Sequence, residues 1–171
     1  MLNLKAYIRD IPDFPEKGVI FKDITPLLKE PEMFKAAVDR MCSFLKDKRV
    51  DLLASAEARG FIFASAMAYR LGVGFIPIRK PGKLPYKTIS MQYTLEYGTN
   101  EVEIHEDAVK PGQRVVIVDD VLATGGTVKA LASLIKKLDG TVTDMVFLIE
   151  LEFLKARELL KGYNIFSVMK Y

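Results

Sequence analysis

The chain has 171 residues, 50% of them apolar and 27% charged, which suits one folded domain and excludes an intrinsically disordered chain. Its 25 Lys and Arg against 22 Asp and Glu leave a net charge of +3, too mild for a general nucleic-acid binder. Cys42 is the only cysteine and His105 the only histidine, so an internal disulfide, a Cys/His zinc site and a relay built on two histidines are excluded. Chemistry is left to carboxylates, lysines, arginines and the backbone.

The N-terminal MLNLKAYIRD carries Lys5, Arg9 and Asp10, so it has no apolar signal core. The richest apolar stretch, Phe61 to Ile78, is interrupted by Arg70, Gly72, Gly74 and Pro77. A soluble cytoplasmic protein with no membrane partner is expected. Pro12, Pro15, Gly18 and Pro26 predict a mostly irregular segment over 1–31, whose Phe14, Val19, Ile20, Phe21 and Ile24 give it apolar surface to bury as a flap. Helical spacing of Phe34, Ala37, Val38, Met41 and Leu45 predicts a helix from Glu32 to Lys46, with Cys42 packed.

From there strands and helices alternate. Strands are predicted at Asp51–Ser55, Gly74–Arg79, Arg114–Asp119, Thr141–Glu150 and Ile165–Val168; helices are predicted at Gly60–Leu71, Thr127–Leu138 and Phe153–Leu160. VVIVD and MVFLI are continuously apolar, as strands of a parallel sheet covered on both faces must be. The fold class is therefore α/β, a doubly wound and mainly parallel sheet with flanking helices, which binds ligands at the carboxyl ends of its strands. Residues 80–106 break the alternation with Pro81, Gly82, Pro85 and Gly98, then read as a hairpin on a long functional loop. His105, in that hairpin, reads as a surface residue.

The richest chemistry lies in VVIVDDVLATGGT, Val115 to Thr127. An apolar strand ends in Asp119 and Asp120, and a turn of Ala123, Thr124, Gly125, Gly126 and Thr127 opens a helix. Such a turn lets backbone N–H groups, hydroxyls and a helix N-terminus converge on a phosphate. Adjacent carboxylates suit hydrogen bonds from sugar hydroxyls, or a Mg²⁺ ion near the sugar. The combination describes a ribose 5-phosphate site. SAEARG, Ser55 to Gly60, is a second strand-to-helix turn, where Arg59 and backbone N–H groups converge on an anion. Arg79, Lys80, Lys83 and Lys87 form a basic run on the long loop, either a solvated face or a counter-charge for a diphosphate.

VVIVDDVLATGGT resembles the phosphoribosyl diphosphate (PRPP) signature of the type I phosphoribosyltransferases. FPEKGVIFKDITPLL, SAEARGFIFA, IPIRKPGKLP and YTLEYGTNEVEIHEDAVKPGQRV extend the resemblance, in order, to the adenine branch of that family over residues 10 to 152. The resemblance implies transfer of the 5-phosphoribosyl group from PRPP to adenine, giving AMP and pyrophosphate, with Mg²⁺ accompanying PRPP and the chain commonly a homodimer. It implies one phosphoribosyltransferase domain over 1–171, with 1–31 as a base-covering flap and 80–106 as a flexible loop.

Residue by residue, the resemblance implies 5-phosphate contacts at Ala123, Thr124, Gly125, Gly126 and Thr127, and ribose contacts at Asp119 and Asp120. It implies pyrophosphate contacts at Glu57, Ala58, Arg59, Arg79, Lys83 and Tyr97. Adenine contacts fall on Ile20, Phe21, Lys22 and Val121, Phe21 being equally suited to pin the flap to the core. Glu96, Arg59 and Lys83 are the catalytic candidates, Glu96 for proton exchange with the purine. No dedicated metal ligands are expected beyond Asp119 and Asp120. The rivals are a sibling transferase for xanthine or hypoxanthine, against which FPEKGVIF and LEYG argue, and a non-catalytic PRPP- or purine-sensing regulator, for whose DNA-binding domain the chain has no room.

Overall fold

Opposite charges facing each other across a short ribbon organise the N-terminal segment in the computed structural model, which describes residues 2–94 and 99–171. The chain divides into two units, ending at Arg40 and beginning at Met41. The first is more regular than its prolines and glycines suggest. A 3₁₀ turn at Leu4–Tyr7 leads into antiparallel strands β1 (Arg9–Pro12) and β2 (Ile20–Asp23), followed by helices α1 (Thr25–Lys29) and α2 (Pro31–Ser43). In the ribbon Arg9 stands opposite Asp23 and Asp10 opposite Lys22, and both pairs close, at 2.6 and 2.7 Å. Cross-strand ion pairs of this kind favour the ladder. The turn between the strands is closed by Asp13, whose carboxylate accepts the Gly18 N–H at 2.7 Å. Leu4, Ile24, Leu27, Met33, Ala37 and Val38 are buried. Helix α2 stops at Ser43 instead of Lys46, because Leu45 and Lys48 donate to carbonyls only three residues back, which tightens the chain into turns.

The second unit holds β3 (Leu52–Ala56), α3 (Arg59–Leu71), β4 (Gly74–Ile78), the hairpin β5 (Thr88–Thr94) and β6 (Thr99–His105), β7 (Arg114–Leu122), α4 (Gly126–Lys137), β8 (Thr141–Glu150), α5 (Ala156–Leu159) and β9 (Asn164–Lys170). Five strands make one parallel sheet in the order β4-β3-β7-β8-β9. Pro77 lies on β4, an edge strand, where its missing N–H costs no ladder bond. Val115, Val116, Ile117 and Val118 of the central strand β7 are all fully buried. Alternation sends Val115 and Ile117 into a cluster with Leu131, Leu134 and Ile135 of α4 and Val102 and Ile104 of β6. Val116 and Val118 then face the opposite side of the sheet. Each such buried side chain contributes about 1.5–3 kcal/mol.

Two boundaries differ from expectation for local reasons. The predicted helix Phe153–Leu160 is a 3₁₀ turn, Glu152–Leu154, and the short α5, separated by Lys155 at φ 51°. Strand β7 runs past the acid pair to Leu122, because β8 continues to pair with it through Val121↔Ile149 and Leu122↔Glu150. Cys42 is buried, as expected.

Candidate active site

Strands β3 and β7 are neighbours, with Leu52 opposite Val115 and Ala54 opposite Ile117. The chain leaves β3 through α3 to β4 on one side, and leaves β7 through α4 to β8 on the other. Connections that diverge from adjacent parallel strands open a crevice at their carboxyl ends. Two long helices begin there, and neither has a side-chain cap: the N-cap of α3 is Ala58 and that of α4 is Gly125. The first N–H groups of a helix have no partner within the helix and carry the positive end of its dipole. Both starts are therefore suited to anions.

At the start of α4, the left-handed residue is Gly125, with φ 87°, while Gly126 is already helical. The conformational demand therefore falls on the first glycine of the pair. A Cβ on Gly125 would lie 3.3 Å from the Cβ of Ala156 and from Leu160 Cδ1. Ala123, Thr124 and Thr127 are half-buried. The Thr127 hydroxyl donates to the Tyr93 hydroxyl at 3.4 Å, so strand β5 reaches the cradle, a contact that sequence spacing does not reveal.

The two acids differ from each other. Asp119 Oδ1 accepts the N–H of Asp120 at 2.9 Å. The same carboxylate lies against Gly60 on α3, where any Cβ would collide with it and with the Ser55 hydroxyl. Gly60 is thus required by the acid, and the glycine of SAEARG was the available signal. Asp120 is 4% exposed, and its Oδ2 is 2.8 Å from Arg59 Nε. Among the described residues that oxygen accepts no hydrogen bond, so it is paired by charge alone. Burial, and then the charge of Asp120, push the Asp119 carboxyl well above the usual range. Burial also raises Asp120, against the pull of Arg59.

On the other side of the crevice, the Glu57 carboxylate accepts from Arg79 Nε and Nη2 at 3.3 and 2.9 Å and from the Lys80 N–H at 2.6 Å. The Lys80 N–H and then Arg79 hold its carboxyl below the usual range. Arg79 Nη1 also donates to the Lys83 carbonyl at 3.1 Å. The Glu57 side chain therefore organises cations. Lys80, Lys83 and Lys87 are exposed. Glu103, buried on β6, accepts from the Gly82 N–H at 3.0 Å and the Thr88 hydroxyl at 3.1 Å, which tethers the basic loop. His105 is half-buried instead of exposed, its Nε2 accepting the Tyr86 N–H at 3.4 Å.

The adenine candidates lie on separate elements. In the first unit, Ile20 is 55% exposed, Phe21 meets Phe14 edge to face at 5.1 Å, and the Lys22 ammonium pairs with Asp10. Because ladder bonding alternates along an antiparallel strand, Ile20 and Lys22 turn their backbone groups to the same edge of β2. In the second unit Val121 is half-buried on β7. Glu96 and Tyr97 lie outside the described residues. No group of three or more His, Cys, Asp or Glu side chains among the described residues could hold a metal.

Comparison with known proteins identifies the family. The phosphoribosyl transferase domain family matches residues 27–161. An adenine phosphoribosyltransferase of Thermotoga sp. strain RQ2 is 58% identical over 170 residues, covering 99% of this chain and 100% of the relative. The crystal structure of adenine phosphoribosyltransferase from Thermoanaerobacter pseudethanolicus superposes with a TM-score of 0.97 at 55% identity, over 98% of both chains. That of the Saccharomyces cerevisiae enzyme, complexed with an imino-altritol bisphosphate and adenine, gives 0.90 at 36% identity over 96% of both chains. The chain belongs to the adenine phosphoribosyltransferases of the type I phosphoribosyltransferase family.

Proposed function

We infer that the chain transfers the 5-phosphoribosyl group of PRPP to adenine, forming AMP and pyrophosphate in purine salvage. The observation that carries this is the pair of uncapped helix starts, Ala58 and Gly125, flanking Asp119 and Asp120 at the switch point of the sheet. One start receives the 5-phosphate, through the N–H groups of 125–127 and the Thr124 and Thr127 hydroxyls. The other, with Arg59, Arg79 and Lys83, receives the diphosphate, and Asp119 and Asp120 accept from the ribose hydroxyls.

The reaction joins adenine N9 to the anomeric carbon as the bond from that carbon to the diphosphate oxygen breaks. The purine gives up its N9 proton, and pyrophosphate departs with the bonding pair. Positive charge develops on the sugar, so the neighbouring Asp119 and Asp120 stabilise it electrostatically. The chain's main contribution is to hold the two substrates in line. Glu96 is assigned the proton exchange. Ile20 and Lys22 present backbone groups to the base edge, and Phe21 and Val121 supply apolar surface to its faces.

Mg²⁺ accompanying PRPP fits the donor set: Asp119 and Asp120 offer one or two carboxylates, and the remaining ligands of a hard cation come from substrate oxygens and water. When bound, it neutralises the leaving diphosphate. No helix among the described residues is long and apolar enough to cross a membrane. A cytoplasmic homodimer is the assembly proposed, and light scattering tests the dimer.

The decisive assay is AMP formation from adenine, with hypoxanthine, guanine and xanthine as competitors. Hypoxanthine exchanges the donor and acceptor that adenine offers, and each buried group left unpaired costs about 1–3 kcal/mol, giving roughly a hundred-fold preference for adenine. Comparable use of both bases would overturn the base assignment. Because the contacts are assigned to the backbone, Lys22→Ala should retain the preference, while Phe21→Ala should weaken every purine.

A further inference from the structure

The chain after Glu152 has no motif in its sequence, yet it packs against the cradle. A Cβ at Gly125 would meet Ala156, the first residue of α5, and Leu160, which follows its last. What holds α5 there is a forked pair between its Arg157 and Glu150, the last residue of β8. Arg157 Nε and Nη2 donate to the two oxygens of Glu150 at 2.6 and 2.8 Å. The Ser167 hydroxyl donates to the same carboxylate at 2.8 Å, and Arg157 Nη1 donates to the Ile165 carbonyl at 3.3 Å. Glu150 is 3% exposed and stands opposite Leu122, the residue before Ala123. The Leu151 N–H donates to the Leu122 carbonyl at 3.0 Å. One ion pair therefore fixes both the strand end that enters the cradle and the helix that backs its left-handed glycine.

We propose that Arg157, through its fork on Glu150, is a positioning residue for the 5-phosphate. It touches no substrate. It keeps α5 against Gly125, so that the N–H groups of the turn stay aimed at one point. A bidentate guanidinium fork is directional, and a lysine at the same position supplies charge without that geometry. This proposal rests on residues 123–127 binding the 5-phosphate.

The test uses the whole chain and two ligands, ribose 5-phosphate and pyrophosphate, titrated by calorimetry. Arg157→Met removes the fork but leaves Glu150 buried, so the double variant Arg157→Met/Glu150→Gln removes the stranded charge as well and keeps an acceptor for Ser167. In both, the dissociation constant for ribose 5-phosphate should rise by about ten-fold or more, as small misplacements of binding groups do. That for pyrophosphate should stay within about two-fold, a difference under half a kcal/mol. Arg157→Lys should fall between wild type and Arg157→Met. Equal weakening of both ligands would reduce the pair to general stability, and unchanged ribose 5-phosphate binding in the double variant would overturn the proposal. Gly126→Val separates the two levels. If it loses ribose 5-phosphate while the double variant does not, the clamp alone is wrong; if it binds normally, the cradle reading falls and takes the proposal with it.

Discussion

The two helix starts that flank the acid pair are built from opposite materials. The start of α4 is made of backbone and small neutral residues, with Gly125 buried against α5 and no charged side chain between Ala123 and Thr127. The start of α3 is surrounded by charges already matched within the chain, Arg59 with Asp120 and Arg79 with Glu57. A fixed array of N–H groups binds a phosphate without rearranging, which suits a group that stays in place through the reaction. A self-paired cation cluster requires an incoming anion to compete with Asp120 and Glu57, which suits a group that must be gripped and then released. The first kind of site is sensitive to shape, and the second to charge.

Shape is the harder requirement, so the largest expected effect is Gly126→Val. The branched side chain enters the first turn of α4, where the backbone must approach phosphate closely, while the helical backbone at this position tolerates it. We expect kcat/KM for PRPP to fall by at least about a hundred-fold with the melting temperature little changed. Wild-type PRPP kinetics in this variant would remove the backbone cradle from the comparison.

Next in size are the acids, and they should separate. Asp120→Asn removes the counter-charge of Arg59, and Asp119→Asn removes a carboxyl that burial and its neighbour already disfavour in the charged form. Charge-assisted hydrogen bonds contribute roughly 1.5–3 kcal/mol each, so either change should lower kcat/KM for PRPP about ten- to a hundred-fold. Their stabilities should move apart. Asp119→Asn should raise the melting temperature, by about 2–4 °C for each kcal/mol of relieved repulsion in a chain of this size. Asp120→Asn should raise it less, since losing the ion pair with Arg59 offsets what burial costs the charged form. Calorimetric melts of the pair decide this, and equal shifts would show that the two acids do not differ in environment.

These contrasts explain what could be read from the sequence. The central strand was legible because Val115 to Val118 face protein on both sides and need no alternation. The cradle was legible because its chemistry is local, a turn of Thr and Gly running into a helix. The end of β7 lies beyond the expected Asp119 because aspartates are poor strand formers, and only pairing with β8 carries the ladder past them. The N-terminal ribbon is hidden in the sequence because its prolines and glycines read as breakers, whereas cross-strand charges hold it. Nothing local in SAEARG reveals that Arg59 serves Asp120 or that Glu57 serves Arg79, since the partners meet only through the order of the strands. Arg157 and Glu150 were silent for the same reason.

A smaller effect belongs to Glu57, whose side chain sets Arg79 and the Lys80 backbone in place. Glu57→Gln keeps an acceptor and loses the charge, so Arg79 should be less well held and freer to meet other anions. The KM for pyrophosphate in the reverse reaction should change by a few-fold, roughly the 1 kcal/mol or less of a partly exposed pair. Ribose 5-phosphate binding should not move. A parallel change in both would show that the two helix starts are one coupled site.

The smallest expected signal, and the most direct reading of the contrast in charge, is the pH dependence of stability. The Glu57 carboxyl is held below its ordinary value, so its pair contributes stability that is present above the unfolded value, about 4.3, and is lost as pH falls through the lower folded value. Asp119 has the opposite sign. Its folded value is raised, so the folded state holds the proton more tightly, and that stability is present below about 3.9 and lost as pH rises toward the folded value. Denaturant melts from pH 3 to 8 should therefore change in two ways. Glu57→Gln should flatten the acid limb, by about 1 kcal/mol or less because water screens a partly exposed pair. Asp119→Asn should leave the acid limb in place and gain on wild type steadily as pH rises. If Asp119→Asn lost stability relative to wild type on going from acid to neutral pH, its carboxyl would be favoured in the charged form, and the account of a strained acid pair between two anion-binding helix starts would be wrong.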